Sequence, residues 1–148
     1  MKSREEIINI LKNFFKEKNK IYGIEMVFLY GSWAVGFPKE NSDVDIAVVF
    51  KKESASEEEL FDCMNDFSLS LSKELGLEVN PIPILPDFPK PMLYYNAIVS
   101  GIPVFIENGA QYAKIKNEAI FHMENFNLFG TEWQLRLARK NLEELKHD

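Results

Sequence analysis

Residues 24–30, IEMVFLY, and residues 44–50, VDIAVVF, are short apolar runs rich in β-branched and aromatic side chains, and each reads as a strand. Gly31, Ser32 and Gly36 lie between them, and two aspartates, Asp43 and Asp45, open the second run. This arrangement constrains the fold more than any other feature of the chain. Val44, Ile46, Val48 and Phe50 line one strand face, which is expected to be the buried one, while Asp43 and Asp45 share the other. Charges within an apolar strand are costly unless something pairs with them. The neighbouring sequence offers no partner, so a ligand is the first candidate.

Helices are expected on both sides of this pair. Ser3 with Glu6 forms a capping-box signature ahead of IINILKNFF, in which Ile7, Ile8, Leu11, Phe14 and Phe15 follow helical spacing. Gly23 closes the link to the first strand. Ser56 with Glu59 marks a second helix start; Leu60, Met64, Phe67, Leu71 and Leu75 form its stripe, and Gly76 ends it. LEVNPIPIL reads as a third strand. Pro81 and Pro83 withhold amides on one side of it, which predicts an edge position. Beyond the turn PDFPKP, MLYYNAIVSG reads as a short helix ended by Gly101, IPVFIEN as a short strand, and residues 110–128 as a helix. Thr131 with Gln134 then predicts a polar turn and a separate C-terminal helix reaching about Lys146. The fold class is α/β (α+β): a small mixed sheet, early helices against it, and a helical C-terminal part. A single domain spanning 1–148 is expected, with a core at about 1–107 and the helical part at about 108–148.

Composition narrows the function. A chain of 148 residues with 46% hydrophobic content and twelve phenylalanines can bury a real core. A net charge of -6 argues against nucleic acid as the main partner. The single cysteine, Cys63, excludes an intrachain disulfide and reads as a packed thiol. No signal peptide or membrane-length apolar run is seen, so no membrane partner and a cytoplasmic location are expected. His122 reads as structural and His147 as solvated; neither has a second His or Cys at metal spacing, so zinc is not indicated. Trp33 is expected to pack against the sheet. Trp133, Leu135, Leu142 and Leu145 offer a helical stripe, either core or partner surface.

The chemistry concentrates between Gly31 and Asp45. Gly31 allows a bend with close ligand approach, Ser32 supplies a hydroxyl and an amide, and such a turn can cradle phosphate oxygens. Asp43 and Asp45, about 7 Å apart along a strand, can converge on a hard cation such as Mg²⁺, which also takes phosphate oxygens. Gly31-Ser32 and Asp43-x-Asp45, separated by ten residues, resemble the signature of the polymerase-β-type nucleotidyltransferase superfamily. More closely, the chain resembles the minimal, MNT-type members, in the antitoxin branch encoded beside HEPN-domain ribonuclease toxins. LGLEVNPIPI, YYNAIVSGIPVFIEN and AIFHMENF carry the resemblance over most of the chain. It implies the polymerase-β-like fold, Mg²⁺ as cofactor, ATP as substrate, and transfer of AMP to a tyrosine hydroxyl of a HEPN-type toxin partner. It also implies Asp43 and Asp45 as the catalytic metal ligands and Gly31 and Ser32 as the nucleotide-binding turn.

Two departures from that pattern leave two readings open. The family carries a third carboxylate on the third strand where this chain has Asn80. An amide is a weaker metal ligand and cannot take a proton from an acceptor hydroxyl. Glu78, two residues earlier on the same face, is the candidate replacement. Relatives with a G-S-x-A-R-G loop have Arg where this chain has Val35, and Lys39 is the candidate substitute for that charge. The chain is therefore either an active nucleotidyltransferase or a degenerate binding module that neutralises its partner by contact.

Overall fold

The computed structural model describes residues 2–36, 38, 42–51 and 56–146, with the side chains of residues 128, 129 and 146 left aside. The elements are α1 (Arg4–Tyr22), β1 (Ile24–Tyr30), α2 (Ser32–Val35), β2 (Val44–Phe50), α3 (Glu57–Leu75), β3 (Val79–Pro83), α4 (Pro91–Ile98), β4 (Ile102–Ile106) and α5 (Gly109–Lys146). The sheet order is β3-β2-β1-β4. β1 pairs antiparallel with both β2 and β4, while β2 pairs parallel with β3, so the sheet is mixed as expected. β3 lies at an edge. Val44 donates to the Glu78 carbonyl and Ile84 to that of Val48, so even-numbered positions of β3 face β2. Pro81 and Pro83 therefore face outward, where no amide is required.

The local signals act where physical chemistry places them. Ser3 and Glu6 close a reciprocal capping box on α1, and Gly23 ends that helix at φ 65°. The Ser56 hydroxyl accepts the Glu59 amide at the start of α3, and Gly76 ends it at φ 68°. Phe15 meets Phe67 edge-on at 5.6 Å, joining α1 to α3. Such a pair contributes about 0.5–1.5 kcal/mol beyond the area it buries. The Tyr22 hydroxyl ties the same helices by donating to Asp66 Oδ2 at 2.6 Å.

Both faces of the sheet are covered, which corrects the expectation of a single buried face. Val44, Ile46 and Val48 pack against α1 and α3, with Trp33, Phe67 and Leu71 in the same cluster. Ala47 points the other way, into a second cluster with Met26, Phe28, Tyr94, Ile98, Ile115 and Ala119. β2 is apolar on nearly every position because helices lie over both sides of it. The Tyr94 hydroxyl accepts the Leu85 amide and donates to the Pro83 carbonyl, fixing the end of β3 to α4. Phe88 sits at φ 48° in the PDFPKP turn and is held there by edge contact with Tyr94 and stacking on His122 at 4.6 Å. His122 is thus the structural histidine expected, while His147 lies outside the described residues. Cys63 is partly buried; burial and then Asp62, Asp66 and Glu59 raise its thiol pKa, which disfavours the thiolate.

Two expectations fail. Gly101 does not cap α4, which ends three residues earlier at Ile98. A Cβ at Gly101 would meet the backbone carbonyls of Ala97 and Leu29, so this glycine is required by close packing of helix end against strand. Nor is there a turn before Thr131, because α5 runs unbroken through it. Thr131 Oγ1 donates to the Asn127 carbonyl at 2.9 Å, so the hydroxyl is satisfied inside the helix rather than acting as a cap. Gly130 is not among the glycines with positive φ.

These two glycines should respond oppositely to substitution. Gly101→Ala should destabilise the domain by about 1–3 kcal/mol, read as a lower urea midpoint, since the obstructing atoms are backbone. Gly130→Ala, with open space around its Cβ position, should favour the helix by about 0.5–1 kcal/mol and raise the far-ultraviolet helical signal. A fall in that signal would contradict the continuous α5.

Candidate functional site

The site is assembled where β1 ends and β2 begins. Antiparallel register sets Tyr30 opposite Asp45, and parallel register sets Asp45 beside Asn80. Gly31 follows Tyr30 with φ 77° and ψ -156°, a backbone conformation that strains any side chain. A Cβ there would lie 2.5 Å from Asp45 Oδ2. The glycine thus lets the turn close against the carboxylate. The Gly31 carbonyl accepts the amides of Ala34 and Val35, and that of Ser32 accepts the Gly36 amide. Among the described residues the Ser32 amide donates no hydrogen bond, as is usual for the first amides of a helix.

Asp43, exposed just before β2, and Asp45, partly buried on it, share this corner. Burial, and next the neighbouring Asp43 carboxylate, raise the Asp45 pKa, while hydrogen bonding from Asn80 opposes the rise. The Asn80 amide also donates to Asp43 Oδ2 at 3.1 Å. Its two N–H groups allow it to serve both carboxylates. Tyr30, partly buried beside them, has its hydroxyl pKa pushed up to about 12 by burial and then by Asp45.

The sequence-derived residues therefore fall into two groups. Gly31, Asp43, Asp45 and Asn80 meet, with Ser32 adjoining through the turn. Glu78 is exposed one residue before β3, and its carboxylate makes no hydrogen bond or ion pair among the described residues. Val35 is exposed, and Lys39 lies outside the described residues. Trp33 is buried and donates to the Ser42 carbonyl at 3.0 Å, so it anchors the turn as a packed residue. Two contributors were missed. Arg4 Nη2 donates to the Ala34 carbonyl at 2.7 Å and brings a positive charge to the Gly31–Gly36 turn from thirty residues away. Tyr30 becomes a neighbour of Asp45 only through strand register. Local pattern signals neither contact.

The donor set suits a hard divalent cation. Two carboxylates that repel one another, with an amide beside them, present oxygens of the kind Mg²⁺ takes, and Mg²⁺ needs few protein ligands when phosphate supplies others. Among the described residues no group of three His, Cys, Asp or Glu side chains forms a self-sufficient metal cage. A cavity of about 400 Å³ lies at the opposite end of the sheet, lined by Met26, Phe50, Leu60, Ile84, Phe88 and Ile115 among others. It contains neither the glycine turn nor the paired aspartates.

Fold and site together define a nucleotidyltransferase-type domain. The family model described as polymerase beta, nucleotidyltransferase matches residues 5–109, and the chain belongs to that family. A protein of Methanocaldococcus jannaschii, provisionally named a protein adenylyltransferase, is 42% identical over 50 residues. That match covers 34% of this chain and 58% of the relative, so the chain spans less than two thirds of that protein's length. Among solved structures, a toxin-antitoxin complex with AMP-PNP gives a TM-score of 0.65 at 15% identity, covering 82% of this chain and 93% of the other. A complex of a tri-AMPylated Shewanella oneidensis HEPN toxin with an MNT antitoxin gives 0.61 at 12% identity, covering 84% and 93%. A minimal nucleotidyltransferase, so assigned provisionally, gives 0.54 at 22% identity, covering 69% and 96%. These likenesses establish the fold. Among the described residues no helix is long and apolar enough to cross a membrane.

The Gly31–Asp45 contact yields a double-mutant test. Gly31→Ala alone should cost about 1–3 kcal/mol from left-handed strain and displacement of the carboxylate. In an Asp45→Ala background the cost should fall to the strain alone. Equal costs in both backgrounds, read from chemical denaturation, would show that the two residues do not touch.

Proposed function

We propose that the chain transfers AMP from ATP to a tyrosine hydroxyl of a HEPN-type toxin partner. The observation that carries this reading is the packing of Asp45 against Gly31, with Asp43 in the same corner, at the mouth of a polymerase-beta-type sheet. The solved complexes of the same fold support the choice of partner and of nucleotide, since one holds AMP-PNP and another an AMPylated HEPN toxin. In this reading Asp43 and Asp45 hold Mg²⁺, and Gly31 and Ser32 receive the triphosphate on backbone and hydroxyl donors. When bound, Mg²⁺ would neutralise charge on the phosphoryl group and on the departing pyrophosphate. The protein's share is positioning: the glycine admits the nucleotide close to the backbone, and the buried Trp33 and the Arg4 contact hold the turn in place.

Asn80 favours a second reading. Its amide donates to Asp43, in the place where the family carries a third carboxylate, and it cannot accept a proton from an incoming hydroxyl. In that reading the chain is a degenerate antitoxin that neutralises its partner by contact, and the aspartates retain nucleotide or metal at most.

Mass spectrometry of a HEPN-type partner after incubation with the chain, ATP and Mg²⁺ separates the two. Transfer predicts added AMP with wild type and none with Asp43→Asn/Asp45→Asn. That variant should also fold at least as stably, because like-charge repulsion is removed. Asn80→Asp should raise the rate, by up to about 10²–10⁴-fold if it restores general-base help. Glu78→Gln should change little, given the solvent-facing placement of that carboxylate. Tight binding of the partner with no added mass would establish the contact reading, and transfer by the double Asn variant would refute both roles given to the aspartates.

A further inference from the structure

Asp43 and Asp45 carry two negative charges at the corner, and the residue that parallel register sets beside Asp45 is the neutral Asn80. Asn80 Nδ2 donates to Asp43 Oδ2 at 3.1 Å, and the same amide hydrogen-bonds the Asp45 carboxylate. These contacts fix which way the amide faces. Turned over, it would set its carbonyl oxygen against two carboxylates and lose both bonds. The side presented to the pair is therefore the N–H side, which carries partial positive charge and has no lone pair for a cation.

The other neighbours supply no further anion. Tyr30 brings a phenol, Gly31 has no side chain, and Glu78 is exposed without a hydrogen bond or ion pair among the described residues. Among those residues no third His, Cys, Asp or Glu joins the aspartates in a metal-holding group.

Ion count follows from charge. Protein sites that hold two divalent cations set them about 3.5–4 Å apart, where their mutual repulsion is large. Phosphate oxygens can hold the ion that arrives with a nucleotide. A second ion has to be held from the protein side, by anions beyond those the first ion uses. Here the protein side offers two carboxylates, enough charge for one divalent ion, and beside them N–H groups that repel a cation.

We infer that Asn80 restricts this corner to one divalent cation, the ion bound to the nucleotide. Its amide occupies, with its own partial positive charge, the place beside the aspartates where a second ion would need an anion. The inference rests on the reading of Asp43 and Asp45 as metal ligands and does not depend on whether AMP is transferred.

Electron paramagnetic resonance of the full chain with AMP-PNP and excess Mn²⁺ tests it, because two Mn²⁺ ions in one site couple their spins and a single ion does not. Wild type should show a bound ion without spin coupling, and that spectrum should be lost in Asp43→Asn/Asp45→Asn. Glu78→Gln should match wild type. Asn80→Asp, which exchanges the N–H donors for an anion, should show a coupled pair. A coupled pair in wild type overturns the inference, whether or not Asn80→Asp folds, and leaves the proposed function standing. So does a folded Asn80→Asp that stays uncoupled. A wild-type spectrum that Asp43→Asn/Asp45→Asn does not alter overturns the metal roles in the proposed function, and this inference with them.

Discussion

The pairing of β1 with β2 is the constraint on which the rest of the molecule depends. It sets Tyr30 opposite Asp45 and brings Gly31 so close to the Asp45 carboxylate that a Cβ there would displace it. A carboxylate that is partly buried and repelled by Asp43 is costly in an apolar sheet. The fold tolerates it because it sits at the open end of the strand, with an Asn80 amide alongside. Two carboxylates and a positive-φ glycine at one sheet corner constitute an arrangement that a cation and a phosphate would relieve. On the proposed function, local stability is given up at this corner for chemistry.

The two cores explain why that corner can be held. Val44, Ile46 and Val48 anchor β2 to α1 and α3, while Ala47 anchors it to the layer formed by α4 and α5. With its length clamped on both faces, β2 cannot slip by a residue without turning its apolar side chains to the wrong layer. The position of Asp45 relative to Gly31 is fixed by that register. Trp33 and Arg4 fix the turn itself, one from within the core and one from the first turn of α1.

Much of this was legible in the amino-acid sequence. The caps at Ser3 and Ser56, the end glycines Gly23 and Gly76, and the outward prolines of β3 act within a few residues of themselves, so pattern reveals them. The Gly31-Ser32 and Asp43-x-Asp45 pair was legible for the same reason, since each half is a local conformation. What pattern could not supply was anything decided by register or by distant packing: Tyr30 beside Asp45, Arg4 on the turn, the second covered face, and Gly101 as a packing glycine. Thr131 misled because a threonine followed three residues later by glutamine resembles a cap. Inside a helix the same hydroxyl turns back to the Asn127 carbonyl.

The central claim is that nucleotide and metal meet at the Gly31–Asp45 corner. The direct measurement is a crystal structure of the chain grown with a non-hydrolysable ATP analogue and Mn²⁺, with the metal located by anomalous scattering. The account predicts a metal peak bound by the carboxylates of Asp43 and Asp45, with the triphosphate lying along Gly31 and Ser32. A nucleotide seated instead in the cavity by Phe50 and Phe88, or a metal that Asp45 does not ligate, would contradict it.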